Sequence, residues 1–212
     1  MTRVRLAFWV YATVALIHVL ALTVGPEGLV YSTKLLLMPL LAVAVVLTPG
    51  LPAPRAARWL LLAGIGLSWL GDGAAFFFPF ADELPPMLLC FGLAHIAYIT
   101  LFARYLRRGP LPRWSVIYGV WWVAMVAALW PHLGGLAVAV AAYGLVLGGT
   151  AVLASACGRI IAWGGAFFLV SDTILSLRLF VPDLLPESIG SPAVMATYAL
   201  GQGLIAWGAV RE

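Results

Sequence analysis

Long apolar runs dominate the hydropathy pattern, and they are broken at Pro, Gly or charged positions rather than alternating with polar residues. At 1.5 Å per residue, a helix of about 20 apolar residues crosses a hydrocarbon core of about 30 Å. Eight runs meet that length and are predicted as membrane-spanning helices: Leu6–Val24, Leu29–Leu47, Trp59–Phe78, Met87–Tyr105, Trp114–Trp130, Leu133–Ala156, Ile160–Val181 and Pro192–Val210. The connections between them, such as 48–58 and 106–113, are too short to hold a separate domain. Backbone polar groups in lipid must be satisfied within each helix. The expected architecture is therefore all-α, a polytopic membrane protein with one eight-helix transmembrane domain over residues 1–212. The first run is longer than a signal-peptide core and lacks a small-x-small cleavage site, so it is expected to be retained.

Composition agrees with the pattern. Of 212 residues 64% are apolar and 9% charged, too few charges to cover a soluble surface, which excludes soluble enzyme folds, nucleic-acid-binding folds and disorder. The net charge of +4 is a topology signal rather than a sign of an acidic partner. Arg3, Arg5, Arg55, Arg58, Arg104, Arg107, Arg108, Arg113, Arg159 and Arg211 fall at alternate ends of the eight runs, and the opposite ends carry Glu27, Asp82, Glu83, Asp183 and Glu187. Both termini are thus expected in the cytoplasm. Trp59, Trp114, Trp130 and Trp207 sit near span ends, as an interfacial belt requires. Cys90 and Cys157 fall near opposite faces, too far apart for a disulfide. Eleven Arg against the single Lys34, with abundant Ala and Gly, point to a GC-rich bacterial genome and hence to a bacterial inner membrane.

Four charges lie inside the runs: Lys34, Asp72, Asp172 and Arg178. Each costs about 2.5–3.5 kcal/mol at mid-helix, so each calls for a partner or a function. With His18, His95, Tyr98, Tyr198 and Gln202 they occupy one stratum in the outer half of the membrane. Ser68 and Asp72, His95 and Tyr98, Asp172 and Ser176, and Tyr198 and Gln202 are spaced three or four residues apart, so four helices each offer a polar stripe. Arg178 is turned away from Asp172 on its helix and is expected to reach the outer interface. Tyr98 follows Asp72 by the interval at which Tyr198 follows Asp172, a hint of a duplicated unit. His18 reads as structural, His132 as solvated, and the three scattered His carry no metal-binding spacing, so no metal or other cofactor is expected.

The segments Gly66-Leu-Ser-Trp-Leu-Gly-Asp72, Gly92-Leu-Ala-His-Ile-Ala-Tyr98 and Gly165-Ala-Phe-Phe-Leu-Val-Ser-Asp172 resemble the YhhN-type transmembrane family, to which animal lysoplasmalogenases belong. The resemblance covers essentially the whole chain; one departure is that Lys34 and Pro39 are separated where the family often has Lys-Pro. It implies hydrolysis of the vinyl-ether bond of 1-alkenyl lysophospholipids to a fatty aldehyde and a glycerophospho-alcohol. That reaction begins with protonation of the alkenyl β-carbon and needs one protonated carboxyl and one carboxylate. Two aspartates in a low-dielectric cavity can divide those roles, as in glycosidases. Asp72 and Asp172 are the expected acid and base, with His95 relaying protons or placing water. Lys34 is expected to hold the lipid phosphate, and Tyr98, Ser68, Ser171, Tyr198 and Gln202 to complete the substrate site. The partners are then a lysophospholipid and membrane lipids, and no nucleic acid; the sequence assigns no oligomeric state.

The same buried groups also fit other roles. A structural polar network would order the bundle without turnover. A proton-coupled small-molecule transporter would use intramembrane Asp, Lys and His, but spaced through the full depth of the membrane. A metal-dependent membrane lipid hydrolase would recruit His95 with the aspartates, and a non-catalytic lipid-binding protein would release no product.

Overall fold

The computed structural model describes residues 2–49 and 54–211; residues 50–53 of the predicted 48–58 connection lie outside it. The described residues form helices and turns, with no strand. The long helices are α1 (Thr2–Val24), α2 (Glu27–Val46), α3 (Arg55–Asp72), α5 (Leu84–Leu101), α6 (Val116–Leu129), α7 (Ala137–Ala154), α8 (Arg159–Phe180) and α9 (Glu187–Arg211), and α4 is a single turn at Ala74–Phe77. A π-helical turn over Phe102–Leu106 prolongs α5.

Seven of the described helical stretches are long and apolar enough to cross a membrane: Arg3–Val24, Glu27–Val46, Leu84–Leu106, Arg113–His132, Gly134–Ala154, Arg159–Phe180 and Glu187–Arg211. This is the signature of a multi-pass membrane protein. The third predicted run is the one outside this set. Its helix starts earlier than expected, at Arg55, and stops at Asp72 instead of continuing to Phe78. The stop is at Gly73, where the Phe77 ring folds back so closely that a Cβ would lie 2.6 Å from it. Asp72 is left as the last residue of its helix. The eighth run differs in the other direction. Its helix begins at Glu187, before the predicted start, and carries Pro192 inside it.

In the bundle α1 packs on α2 and α9, α2 on α3, α3 on α5, α5 on α7, α7 on α8 and α8 on α9, closing a ring; α6 lies outside it against α7. The tightest approach is between α8 and α9. A Cβ on Gly201 would sit 2.8 Å from the Phe168 backbone nitrogen, and one on Gly164 would sit 2.8 Å from that of Ile205. Small residues at such crossings let backbones touch where lipid offers no hydrophobic drive to associate. The ring encloses a core of Leu37, Leu41, Leu61, Ile65, Phe102 and Ile161 toward the Arg-bearing ends of the helices. Cys90 and Cys157 are both buried.

Candidate active site

Above that core the ring does not close on itself. A cavity of about 710 Å³ occupies the other end of the bundle, bordered at its mouth by Glu27, Glu83 and Glu187 and deeper in by Lys34, Asp72 and Asp172. Its size is within the range of about 300–1,000 Å³ typical of small-molecule sites. α1, α3 and α8 contribute their C-terminal portions, and α2, α5, α7 and α9 their N-terminal ones. The residues reached are His18 to Leu22 on α1 with Gly25 just beyond it, Gly71 and Asp72 at the end of α3, and Ser171 to Phe180 on α8, so the lining comes from one end of an up-and-down bundle. Leu22, Met87, Leu88, Phe91, Leu175 and Leu179 give much of the wall an aliphatic and aromatic surface.

Each aspartate is held by one tyrosine. Tyr198 on α9 donates its hydroxyl to Asp72 Oδ2 at 2.7 Å, and Tyr143 on α7 donates to Asp172 Oδ2. In both cases the other carboxylate oxygen has no partner among the described residues. Tyr198 and Tyr143 themselves border the cavity. The hint of a duplicated unit does not carry over to these contacts. Tyr198 serves Asp72 rather than Asp172, while Tyr98 serves neither and donates to Gln202 Oε1 at 2.6 Å.

Behind Asp172 the polar chain continues inward. The Tyr143 hydroxyl is 3.4 Å from His95 Nε2, and His95 Nδ1 is 3.1 Å from Thr150 Oγ1. Thr150 spends its own proton on the Val146 carbonyl at 2.9 Å, so it accepts from Nδ1–H. The neutral His95 ring therefore presents a bare Nε2 to Tyr143. His95 is fully buried, its ring 4.7 Å from that of Phe168.

Lys34 is half-buried on the cavity wall and acts electrostatically on both Asp72 and His18. The cavity's ion pair among the described residues is Arg178 with Glu187 at 3.8 Å, and Arg178 also donates to Ser191. Arg178 is therefore engaged with α9 and does not pair with Asp172, which leaves the Lys34 ammonium with no carboxylate in contact among the described residues.

The structure separates the sequence-predicted residues into two groups. Lys34, Asp72, Ser171, Asp172 and Tyr198 border the cavity. Ser68, His95, Tyr98 and Gln202 are fully buried beneath it, and Gln202 Nε2 donates to Ser68 Oγ at 2.9 Å to complete a Tyr98–Gln202–Ser68 chain joining α5, α9 and α3. Ser171 ties α8 to α9 by donating to the Val194 carbonyl at 3.0 Å. Sequence reasoning missed Tyr143, although a signal existed: Tyr143 and Thr150 are the only hydrogen-bonding side chains in α7, and they share a face two turns apart. His18, read as structural, also borders the cavity. Among the described residues no three His, Cys, Asp or Glu side chains converge as metal ligands would.

Comparison with known proteins places these features in a family. The sequence profile described as the YhhN family matches residues 29–209. A curated relative, lysoplasmalogenase TMEM86B of Rattus norvegicus, is 28% identical over 160 residues, which are 73% of this chain and 63% of the relative. The chain thus spans less than two thirds of that relative's length. No solved structure matches this chain.

Proposed function

The chain belongs to the YhhN family, and from that premise we propose that it is an integral-membrane hydrolase of 1-alkenyl lysophospholipids, releasing a fatty aldehyde and a glycerophospho-alcohol. The observation that carries the reading is a pair of carboxylates, from α3 and α8, on the wall of one cavity, each fixed through one oxygen by a tyrosine. The relative's name points to the same bond class.

Asp72 is the aspartate on which the Lys34 ammonium acts and is assigned as the anion; Asp172, with Arg178 engaged by Glu187 instead, is assigned as the proton donor. The Tyr143 contact is compatible with this division. When Asp172 carries its proton on the oxygen that has no partner, Tyr143 goes on donating to Oδ2, so the acid is held in place while its proton is free for the substrate. Asp172 gives its proton to the alkenyl β-carbon, and the adjoining carbon becomes an oxocarbenium ion facing the Asp72 carboxylate. Water adds to that carbon as Asp72 takes its proton. In the collapse of the hemiacetal its hydroxyl proton returns to Asp172, the carbon–oxygen bond to glycerol breaks, and Asp72 protonates the departing oxygen. Both aspartates are restored and one water is consumed. Lys34 holds the phosphate, and Ser68, Tyr98 and Gln202 tie α3, α5 and α9 together beneath the site.

The reading further assigns α3 with α4 as an eighth crossing in a single domain, with both termini cytoplasmic, the cavity opening to the outer face, and residence in a bacterial inner membrane. The alternating helix directions around the cavity support that count. A transporter would need polar groups through the full depth, whereas the lining groups come from one end. The test is to incubate the purified protein with 1-alkenyl, 1-alkyl and 1-acyl lysophospholipids in parallel and to detect aldehyde, alcohol and fatty acid. Aldehyde from the alkenyl lipid alone is expected. Release of fatty acid from the acyl lipid would replace the proposal with a lysophospholipase, and no product from any of the three would end it.

A further inference from the structure

His18 on α1 is the one residue among those described with a buried side-chain nitrogen or oxygen that lacks a hydrogen-bond partner, and the atom is Nε2. The residue is 1% exposed and borders the cavity. Its other nitrogen, Nδ1, lies 2.8 Å from Thr33 Oγ1. Thr33 in turn lies 2.6 Å from the Leu29 carbonyl and 3.1 Å from that of Val30. A carbonyl has no proton to give, so the single Thr33 hydrogen goes to the helix backbone and the hydroxyl oxygen must accept from Nδ1–H. The neutral imidazole is thereby held in one tautomer, with Nε2 a fixed acceptor in want of a donor. A buried acceptor without a donor is unfavourable, whereas a ligand that supplies one gains both the bond and relief of that cost.

The neighbours of His18 indicate what the donor is. Lys34 follows Thr33 in sequence and acts on both His18 and Asp72, so a phosphate held by Lys34 places the adjoining glycerol between the reacting carboxylates and His18. In a lysolipid that glycerol carries one free hydroxyl, at its second carbon; in a diacyl lipid the same position is an ester with no hydrogen to give. Building on the function proposed above, we infer that His18 Nε2 accepts this hydroxyl and that His18 is the residue through which the cavity selects a lysolipid.

Binding without turnover tests the inference separately from the reaction. The probe is the saturated 1-O-alkyl lysophospholipid, compared with its 2-deoxy and 2-acyl counterparts, on the intact protein in detergent. The wild type is expected to bind the free-hydroxyl lipid about tenfold or more tightly than the 2-deoxy lipid, the equivalent of one neutral hydrogen bond together with an acceptor left unpaired. His18→Leu is expected to bind the two alike, and His18→Gln, which retains an acceptor oxygen, to regain part of the preference. Equal affinity of the wild type for the two lipids overturns the inference whether or not any variant folds. So does a preference that persists in His18→Leu. Loss of aldehyde release with the binding preference intact would instead fault the proposed reaction.

Discussion

Tyr143 of α7 donates its hydroxyl to Asp172 of α8, and the same hydroxyl lies 3.4 Å from the bare Nε2 of His95. One tyrosine therefore stands between a cavity carboxylate and a fully buried imidazole. The pairing crosses three helices and is the most specific piece of chemistry in the fold.

Asp72→Asn and Asp172→Asn each remove an acid–base group without changing side-chain volume. Aldehyde release is expected to fall by about 10²–10⁴-fold in either variant, with thermal unfolding in detergent little changed. Activity near that of the wild type in either variant would remove that residue from the mechanism.

Tyr143→Phe and Tyr98→Phe should differ in kind, although each deletes one hydroxyl. Tyr143→Phe interrupts the link to His95, and kcat is expected to fall by about 10–100-fold with KM nearly unchanged, at the lower end of what general acid–base groups contribute. Tyr98→Phe strands the Gln202 Oε1 acceptor in the core, which costs about 1–3 kcal/mol of stability, so its effect should appear in the unfolding temperature and not in kcat. Steady-state kinetics and melting curves measured on both variants separate the two.

Lys34→Met keeps the aliphatic stem and removes the charge. A charged hydrogen bond to phosphate contributes about 1.5–3 kcal/mol, so KM for the lysolipid should rise by about tenfold or more while kcat changes less. A larger loss in kcat than in KM would move Lys34 from holding the lipid to acting on Asp72.

Gly201→Ala drives a methyl into the Phe168 backbone at 2.8 Å, where neither helix can yield without separating. Overpacking of this sort costs about 1–3 kcal/mol, and the melting temperature is expected to drop by several degrees. Gly119→Ala, on the outer helix α6 with nothing within 4 Å, should be neutral or slightly stabilising. Equal melting temperatures for the two variants would show that the α8–α9 crossing is looser than described.

Much of this protein is legible in one dimension because lipid makes the rules strict. An unpaired backbone group in hydrocarbon is so costly that apolar length translates directly into helices, and seven of the eight predicted runs correspond to stretches able to span a membrane. The cost of a buried charge likewise singled out Lys34, Asp72, Asp172 and Arg178, all four of which border the cavity. The run 59–78 is interrupted at Gly73, between α3 and α4, and was misjudged because hydropathy averages over a window and does not register a single-residue break. Tyr143 and His18 escaped for a related reason. Tyrosine and neutral histidine carry little cost by residue type, and their importance comes from what they face.

The sequence alone determined the helical class, the segregation of Arg from Asp and Glu between the two ends, and the set of polar groups that a membrane tolerates only with partners, since each follows from local composition against a fixed solvent. Which tyrosine holds which aspartate, which polar residues line the cavity and which sit beneath it, and which nitrogen of His18 stays bare were decided by tertiary structure. These are pairings between helices far apart in the chain, such as Asp72 with Tyr198, and a helix periodicity gives only the face of one helix, not its rotation against the next.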